Sequence, residues 1–215
     1  MDGNSRALAN ALVEGAHEKG HAAEVVQLDQ VMTGLLRDCR KCRRRDGRCA
    51  IEDGFEELVH ERLVPADAWV YATPLYWYGM SAAMKNFFDR LVCYVSASYP
   101  RYQEVVEGCK AKRVALLLAS EERFPSAGMG VVFQIQESSR YLHQQFVEVI
   151  NGIGNKRGEV RFDPADPLHA ARVLGREIFK RHHSDYNIDA VRPNSVWPDA
   201  RDRDDDSAVT PYADV

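Results

Sequence analysis

The sequence predicts an α/β fold: a doubly wound parallel sheet with helices on both faces. Three observations predict it. Strand and helix patterns alternate along the chain, as successive βα units require. Arg113 to Ala119 (Arg-Val-Ala-Leu-Leu-Leu-Ala) is apolar without alternation, the mark of a strand buried on both faces. Trp69 to Ala72 is a second such run, and it leads through Thr73-Pro74 into an aromatic loop and then a helix.

Ser5 to Lys19 carries Leu8, Ala11, Leu12, Gly15 and Ala16 on one face. This predicts an amphipathic helix with Asn4 or Ser5 as its cap and Gly20 near its end. Ala22 to Leu28 reads as a strand, polar enough to lie toward a sheet edge. A Cys- and Arg-rich loop spans Leu36 to Cys49, and Asp53 to Val64 is a helix ended by Pro65. The strand at Trp69 to Ala72 breaks at Pro74, whose missing N–H stops a ladder. Met80, Ala83, Met84, Phe87, Phe88 and Leu91 form the next helical stripe. Val131 to Gln145 is a long helix, Phe146 to Ile153 a strand, and Pro167 to Arg181 the last helix.

The order is αβαβαβαβα, which starts on a helix where a doubly wound domain normally starts on a strand. The expected organisation is a domain over residues 1–183 and an acidic tail over 184–215. The tail holds eight Asp and three Arg, net −5, and little that forms a core. Total net charge is −4, so the remaining chain is near neutral, without the basic bias of a nucleic-acid binder. No apolar run reaches the length of a membrane span, and no signal segment opens the chain. Five Cys, three of them clustered, argue against a secreted disulfide framework and for a reducing cytoplasm.

In an open α/β sheet, ligands bind outside the carboxyl ends of the strands. Tyr76, Trp77 and Tyr78 therefore stand at a ligand-binding edge, where flat side chains suit a flat ligand. Ser5 and the N–H groups behind it open a helix, and a helix N-terminus attracts anions. These residues also carry a family likeness. Gly3-Asn4-Ser5, the Cys39-x2-Cys42 and Cys49 loop, Thr73-Pro-Leu-Tyr-Trp-Tyr-Gly-Met-Ser81 with Lys85-Asn-Phe-Phe-Asp-Arg90, and Gly152-Ile-Gly154 with Gly158-Glu159 resemble the NAD(P)H-dependent FMN reductases of the flavodoxin-like fold. The resemblance is to the branch that includes the iron–sulfur flavoproteins, and it covers residues 3 to 181.

The resemblance implies noncovalent FMN and a hydride from NAD(P)H passed on to a small acceptor such as a quinone or free flavin. It implies cofactor contacts from Asn4, Ser5, Arg6, Pro74, Leu75, Tyr76, Trp77, Tyr78, Gly79, Ser120 and Glu121. No acid–base side chain is expected to be catalytic, and a homodimer or higher homo-oligomer is expected. Iron–sulfur members have a further Cys where this chain has Arg45, so no cluster and no metal are expected. Lys85, Asp89 and Arg90 read as surface charges or as ion pairs between helices or subunits. Alternatives are an electron-transfer flavoprotein that does not oxidise NAD(P)H, and an interaction module that has lost FMN.

The family's first strand, with the Ser and Arg that open its phosphate loop, would precede Met1. The chain is therefore expected to gain stability from about ten upstream residues. In the strand order 2-1-3-4-5, loss of that strand would leave Ala22–Leu28 without its neighbour and bare one edge of Trp69–Ala72.

Overall fold

The computed structural model describes residues 3–182; the acidic tail expected over 184–215 lies outside them. Helix α1 (Asn4–Glu18) is followed by one-turn helices α2 (Leu28–Val31) and α3 (Cys39–Cys42). Helix α4 (Phe55–Leu58) continues into a π-helical turn at Val59–Leu63. Then come β1 (Ala68–Tyr76), β2 (Gly79–Met80), α5 (Ala82–Val95), α6 (Tyr102–Cys109), β3 (Arg113–Ser120), α7 (Met129–Tyr141), β4 (Gln145–Ile153) and α8 (Pro167–Glu177), with 3-10 turns at Pro125–Gly128 and Glu159–Phe162. Helix α6 had no expectation from the sequence, and α7 ends four residues early.

The sheet order is β2-β1-β3-β4. Strands β1, β3 and β4 are parallel, with Ala72 beside Leu117 and Leu117 beside Ile150. β2 is a short antiparallel return on the tip of β1. Alternate residues of β3 face opposite layers. Ala115, Leu117 and Ala119 pack with Leu8 and Leu12 of α1 and Ala171 and Leu174 of α8. On the other face, the rings of Phe87 and Phe88 in α5 lie 5.9 and 4.9 Å from that of Tyr71.

α1 and α8 cross at glycines. A Cβ on Gly15 would stand 1.9 Å from the Arg172 carbonyl oxygen, and one on Gly175 would stand 2.0 Å from that of Leu12. Glu18 closes this crossing with Arg172 at 2.6 Å and with Arg176.

Several sequence expectations need correction. Pro74 does not end its strand: it pairs with Ala119, and β1 runs on to Tyr76. β1 is a sheet edge over this length on the side away from β3, and edge strands tolerate proline. The helix cap is Gly3, not Asn4 or Ser5, and no side chain caps α1.

The strand expected at Ala22–Leu28 is not formed: residues 21–27 have no ladder partner among the described residues, and Leu28 opens α2. β1 departs from its expected burial as well. Trp69, Tyr71 and Thr73 are buried, but Ala68, Val70 and Ala72, on the α1 side, are only half-buried. The run expected to be buried on both faces is covered on one.

Candidate functional site

A cavity of 1470 Å³ follows the free edge of β1 and opens at the carboxyl end of the sheet. Four segments converge there: the start of α1, the tip of β1, the loop after β3 and the loop after β4. Asn4, Ser5, Arg6, Pro74, Leu75, Tyr76, Ser120 and Glu121 all line it, so eight of the eleven expected contacts share one space. Trp77, Tyr78 and Gly79 do not line it.

The phosphate-type end is built on α1. Ala7 N–H bonds the Gly3 carbonyl at 2.9 Å, so the N–H groups of Asn4, Ser5 and Arg6 precede the first closed turn. Ser5 is half-buried at this end. Arg6 donates to Gln27 Oε1 at 3.1 Å, which ties the helix start to the extended segment. Asn4 has a different role from the one expected. Its Nδ2 donates to the carbonyls of Gly154 (2.9 Å) and Lys156 (3.0 Å), and its Oδ1 accepts from Val160 N–H at 3.3 Å. The amide is fully used in pinning the loop after β4.

That loop brings Lys156 and Arg157 to the cavity lining, two cations the sequence reading missed. The sequence signal was the Gly152–Glu159 segment, which was noted without its charges. Glu159 Oε2 accepts from the N–H groups of Asn155 (2.8 Å) and Lys156 (2.7 Å). These backbone bonds hold its carboxyl below the usual Glu range, so its charge already fills the turn.

The ring-type end is the tip of β1. Trp77 and Tyr78 both have positive φ, 52° and 63°, between the pairs Leu75–Met80 and Tyr76–Gly79. That is a two-residue hairpin turn with both residues left-handed, a conformation Asn-Gly favours and bulky residues pay for in strain. Trp77 is 96 % exposed. Beneath the turn, buried Thr73 Oγ1 accepts from Ser81 N–H at 3.1 Å, and Ser81 Oγ accepts from Met84 N–H to start α5. Ser120 Oγ lies 3.2 Å from both the Glu122 carbonyl and Asn151 Oδ1, and Glu121 is exposed.

The charges on α5 divide. Lys85 and Asp89 form an exposed i,i+4 ion pair. Arg90 is no surface charge: it is 1 % exposed and pairs with Asp53. Asn86 Nδ2 and Arg90 both donate to the Gly34 carbonyl, and Asn86 Oδ1 accepts from Leu36 N–H. Helix α5 thus carries the Cys loop on its flank. Cys49 is buried and Cys42 half-buried. Among the described residues, no three His, Cys, Asp or Glu side chains are grouped to hold a metal ion. No helix among them is long and apolar enough to cross a membrane.

The donor set fits a phosphate-bearing flat cofactor at its two ends. The N–H groups that precede the first closed turn of α1 lie with cations at one end of the opening, and an apolar, aromatic-tipped strand end lies at the other.

A parallel three-strand core, helices on both faces and a cavity at the carboxyl edge define an open α/β domain of the flavodoxin type. The model of the flavodoxin-like fold family matches residues 1–152, and the chain belongs to that family. It is 24% identical over 174 residues to a Bacillus subtilis protein named "Putative NAD(P)H-dependent FMN-containing oxidoreductase YwqN", covering 81% of this chain and 91% of that one. It is 30% identical over 89 residues to an iron–sulfur flavoprotein of Methanosarcina thermophila, covering 41% of this chain and 46% of that protein. Among solved structures, the Trp repressor binding protein from Bacillus subtilis matches with a TM-score of 0.60 at 22% identity, covering 86% of this chain and 94% of that one. The NAD(P)H:quinone oxidoreductase from Methanothermobacter marburgensis matches with a TM-score of 0.59 at 22% identity, covering 84% and 92%. These structural likenesses concern the fold.

Proposed function

We propose that this protein is an NAD(P)H-dependent FMN oxidoreductase that passes electrons to a small acceptor such as a quinone or free flavin. The observation that carries the reading is the single cavity that unites the start of α1 with the tip of β1. The names of its relatives point the same way.

In this reading Ser5, Arg6 and the free N–H groups of the first turn of α1 hold the FMN phosphate, because a helix start and a guanidinium both favour an anion. Pro74, Leu75 and Tyr76 flank the ring, and Trp77 and Tyr78 offer exposed aromatic faces for a second flat molecule. Bound FMN supplies a two-electron carrier between nicotinamide and acceptor. The side chains bind, orient and exclude water, and Asn4 holds the loop that closes the phosphate end. Ser120 and Glu121 form the opposite rim. The exposed aromatics Trp77, Tyr78, Phe124 and Phe133 suit a second copy of the chain, which makes a homodimer in a reducing cytoplasm part of the proposal.

The test is reconstitution with FMN, followed by flavin absorbance after gel filtration and by NADH and NADPH consumption with a quinone. Retained flavin and quinone-dependent oxidation are expected. A protein that binds no FMN after reconstitution would refute the reading.

A further inference from the structure

His60 lies in the π-helical turn that continues α4, where the Val64 N–H bonds the Val59 carbonyl at 2.9 Å. Such turns are rare and often mark functional sites. The His60 side chain is 6 % exposed, yet both ring nitrogens have polar partners. Nδ1 lies 3.1 Å from Glu104 Oε1 of α6, and Nε2 lies 2.7 Å from the hydroxyl oxygen of Tyr99. That hydroxyl lies 3.0 Å from Glu56 Oε1 of α4. The result is one hydrogen-bonded row, Glu104–His60–Tyr99–Glu56, with a carboxylate at each end.

Counting protons along the row fixes the state of the ring. A phenol has one proton to give, and an ionised carboxylate has none. Burial, and then the bond to Glu56, push the Tyr99 hydroxyl well above the usual Tyr range, so it keeps its proton. That proton lies toward Glu56, because two oxygens 3.0 Å apart with nothing between them would repel. Arg101, which donates to Glu104 at 2.9 and 2.7 Å, and then His60 hold the Glu104 carboxyl below the usual Glu range. Both neighbours of the ring are therefore acceptors, and both nitrogens donate. A neutral imidazole has one N–H. It would turn a lone pair on Glu104, or it would take the Tyr99 proton away from Glu56.

The row fastens separate parts of the chain. Glu56 also accepts from Arg48 of the Cys loop at 3.4 Å. Tyr99 is 1 % exposed and ends the segment on which that loop rests. Arg43 donates to the Ser96 and Ser98 hydroxyls, and a Cβ on Gly47 would stand 1.7 Å from the Ser98 carbonyl oxygen. The Tyr99 ring packs edge-to-face on that of Tyr94 in α5, with centroids 5.0 Å apart.

We infer that His60 is a pH-sensitive latch: as an imidazolium it locks α4, α6 and the Cys loop together through Tyr99, and loss of one proton releases them. The groups that face the ring are Glu104 and Arg101 at α6, Tyr99 ahead of that helix, and Glu56 with Arg48 behind it; Glu57 and Glu61 lie on its own helix. Imidazoles change charge between about pH 5 and 8. The latch is expected to close toward the acid end of that range and to open toward the alkaline end.

The test has two readouts on the full chain. Nitrogen NMR shifts of the His60 ring report whether both nitrogens carry protons. Hydrogen exchange at residues 43–49 and 96–104, divided by the intrinsic rate at each pH, reports opening. Two protonated nitrogens are expected near about pH 5. Opening is expected to rise about ten-fold or more toward about pH 9, a hydrogen bond to a charged group being what is lost. His60→Gln does not titrate, and its opening is expected to be the same at both ends. Should that variant fail to fold, Glu104→Gln keeps the test, because Glu104 is exposed at the start of α6. It is expected to move opening to lower pH, since the anion that holds the second proton is gone. A single protonated nitrogen near about pH 5 overturns the inference. So does opening that ignores pH in the native protein, or that keeps the native pH dependence in either variant. Neither readout needs FMN, so the outcome is separate from that of the functional reading.

Discussion

Arg90 and Asp53 meet inside the protein, with Nη1 and Nη2 of Arg90 2.5 and 2.7 Å from the two carboxylate oxygens. Both side chains are almost wholly removed from solvent. Burial opposes the charge on Asp53, but Arg90 and the N–H groups of Gly34 and Phe55 outweigh it, so its carboxyl titrates below the usual Asp value. Removing one partner strands the other. Arg90→Met or Asp53→Asn is expected to cost about 3–5 kcal/mol, read as a lowered urea midpoint at neutral pH.

The same pair sets a pH dependence. A carboxylate whose folded pKa is depressed stabilises the fold above the unfolded value and loses that contribution as pH falls through the folded one. For Asp53 the loss begins below about pH 4. Urea titrations from pH 5 down to 2 are expected to show a steeper fall in the native protein than in Asp53→Asn.

Ser5→Asp places a carboxylate at the helix start proposed to hold the FMN phosphate. FMN affinity is expected to drop more than ten-fold, about 1.4 kcal/mol or more, while α1, which favours an acid in its first turn, keeps its stability. Fluorescence titration with FMN reads the first quantity and circular dichroism melts the second. Unchanged affinity would remove Ser5 from the phosphate site.

The Trp77–Tyr78 turn separates stability from function. Both residues sit at positive φ, where Asn and Gly cost less. The double change Trp77→Asn, Tyr78→Gly is expected to gain about 1 kcal/mol, a rise of roughly 2–4 °C in Tm. Quinone-dependent NAD(P)H oxidation is expected to fall at the same time. Scanning calorimetry and steady-state rates measure the two outcomes.

Iron is expected to be absent. The resemblance to the iron–sulfur flavoproteins implies a further Cys where this chain has Arg45, and Cys49 is buried. Metal and sulfide analysis after anaerobic reconstitution should find neither in stoichiometric amount.

The sequence alone determined the fold class and most elements. The apolar run Arg113–Ala119 announced a central strand, and the stripes at Leu8–Ala16 and Met84–Leu91 announced the helices that cover it. Periodicity reports which residues are hidden, and that is a local property. It also placed eight of the expected contact residues at one edge, because strand ends and helix starts meet there in any open α/β sheet. Tertiary structure decided what depended on partners. Asn4 went to the loop at 154–160, and Arg90 went inside to Asp53, because a carbonyl or carboxylate far along the chain was waiting for each. Pro74 stayed in its strand because that strand is an edge. Ala22–Leu28 had the composition of a strand and did not become one, because a strand is completed by hydrogen bonds to a neighbour and no periodicity records whether that neighbour is there.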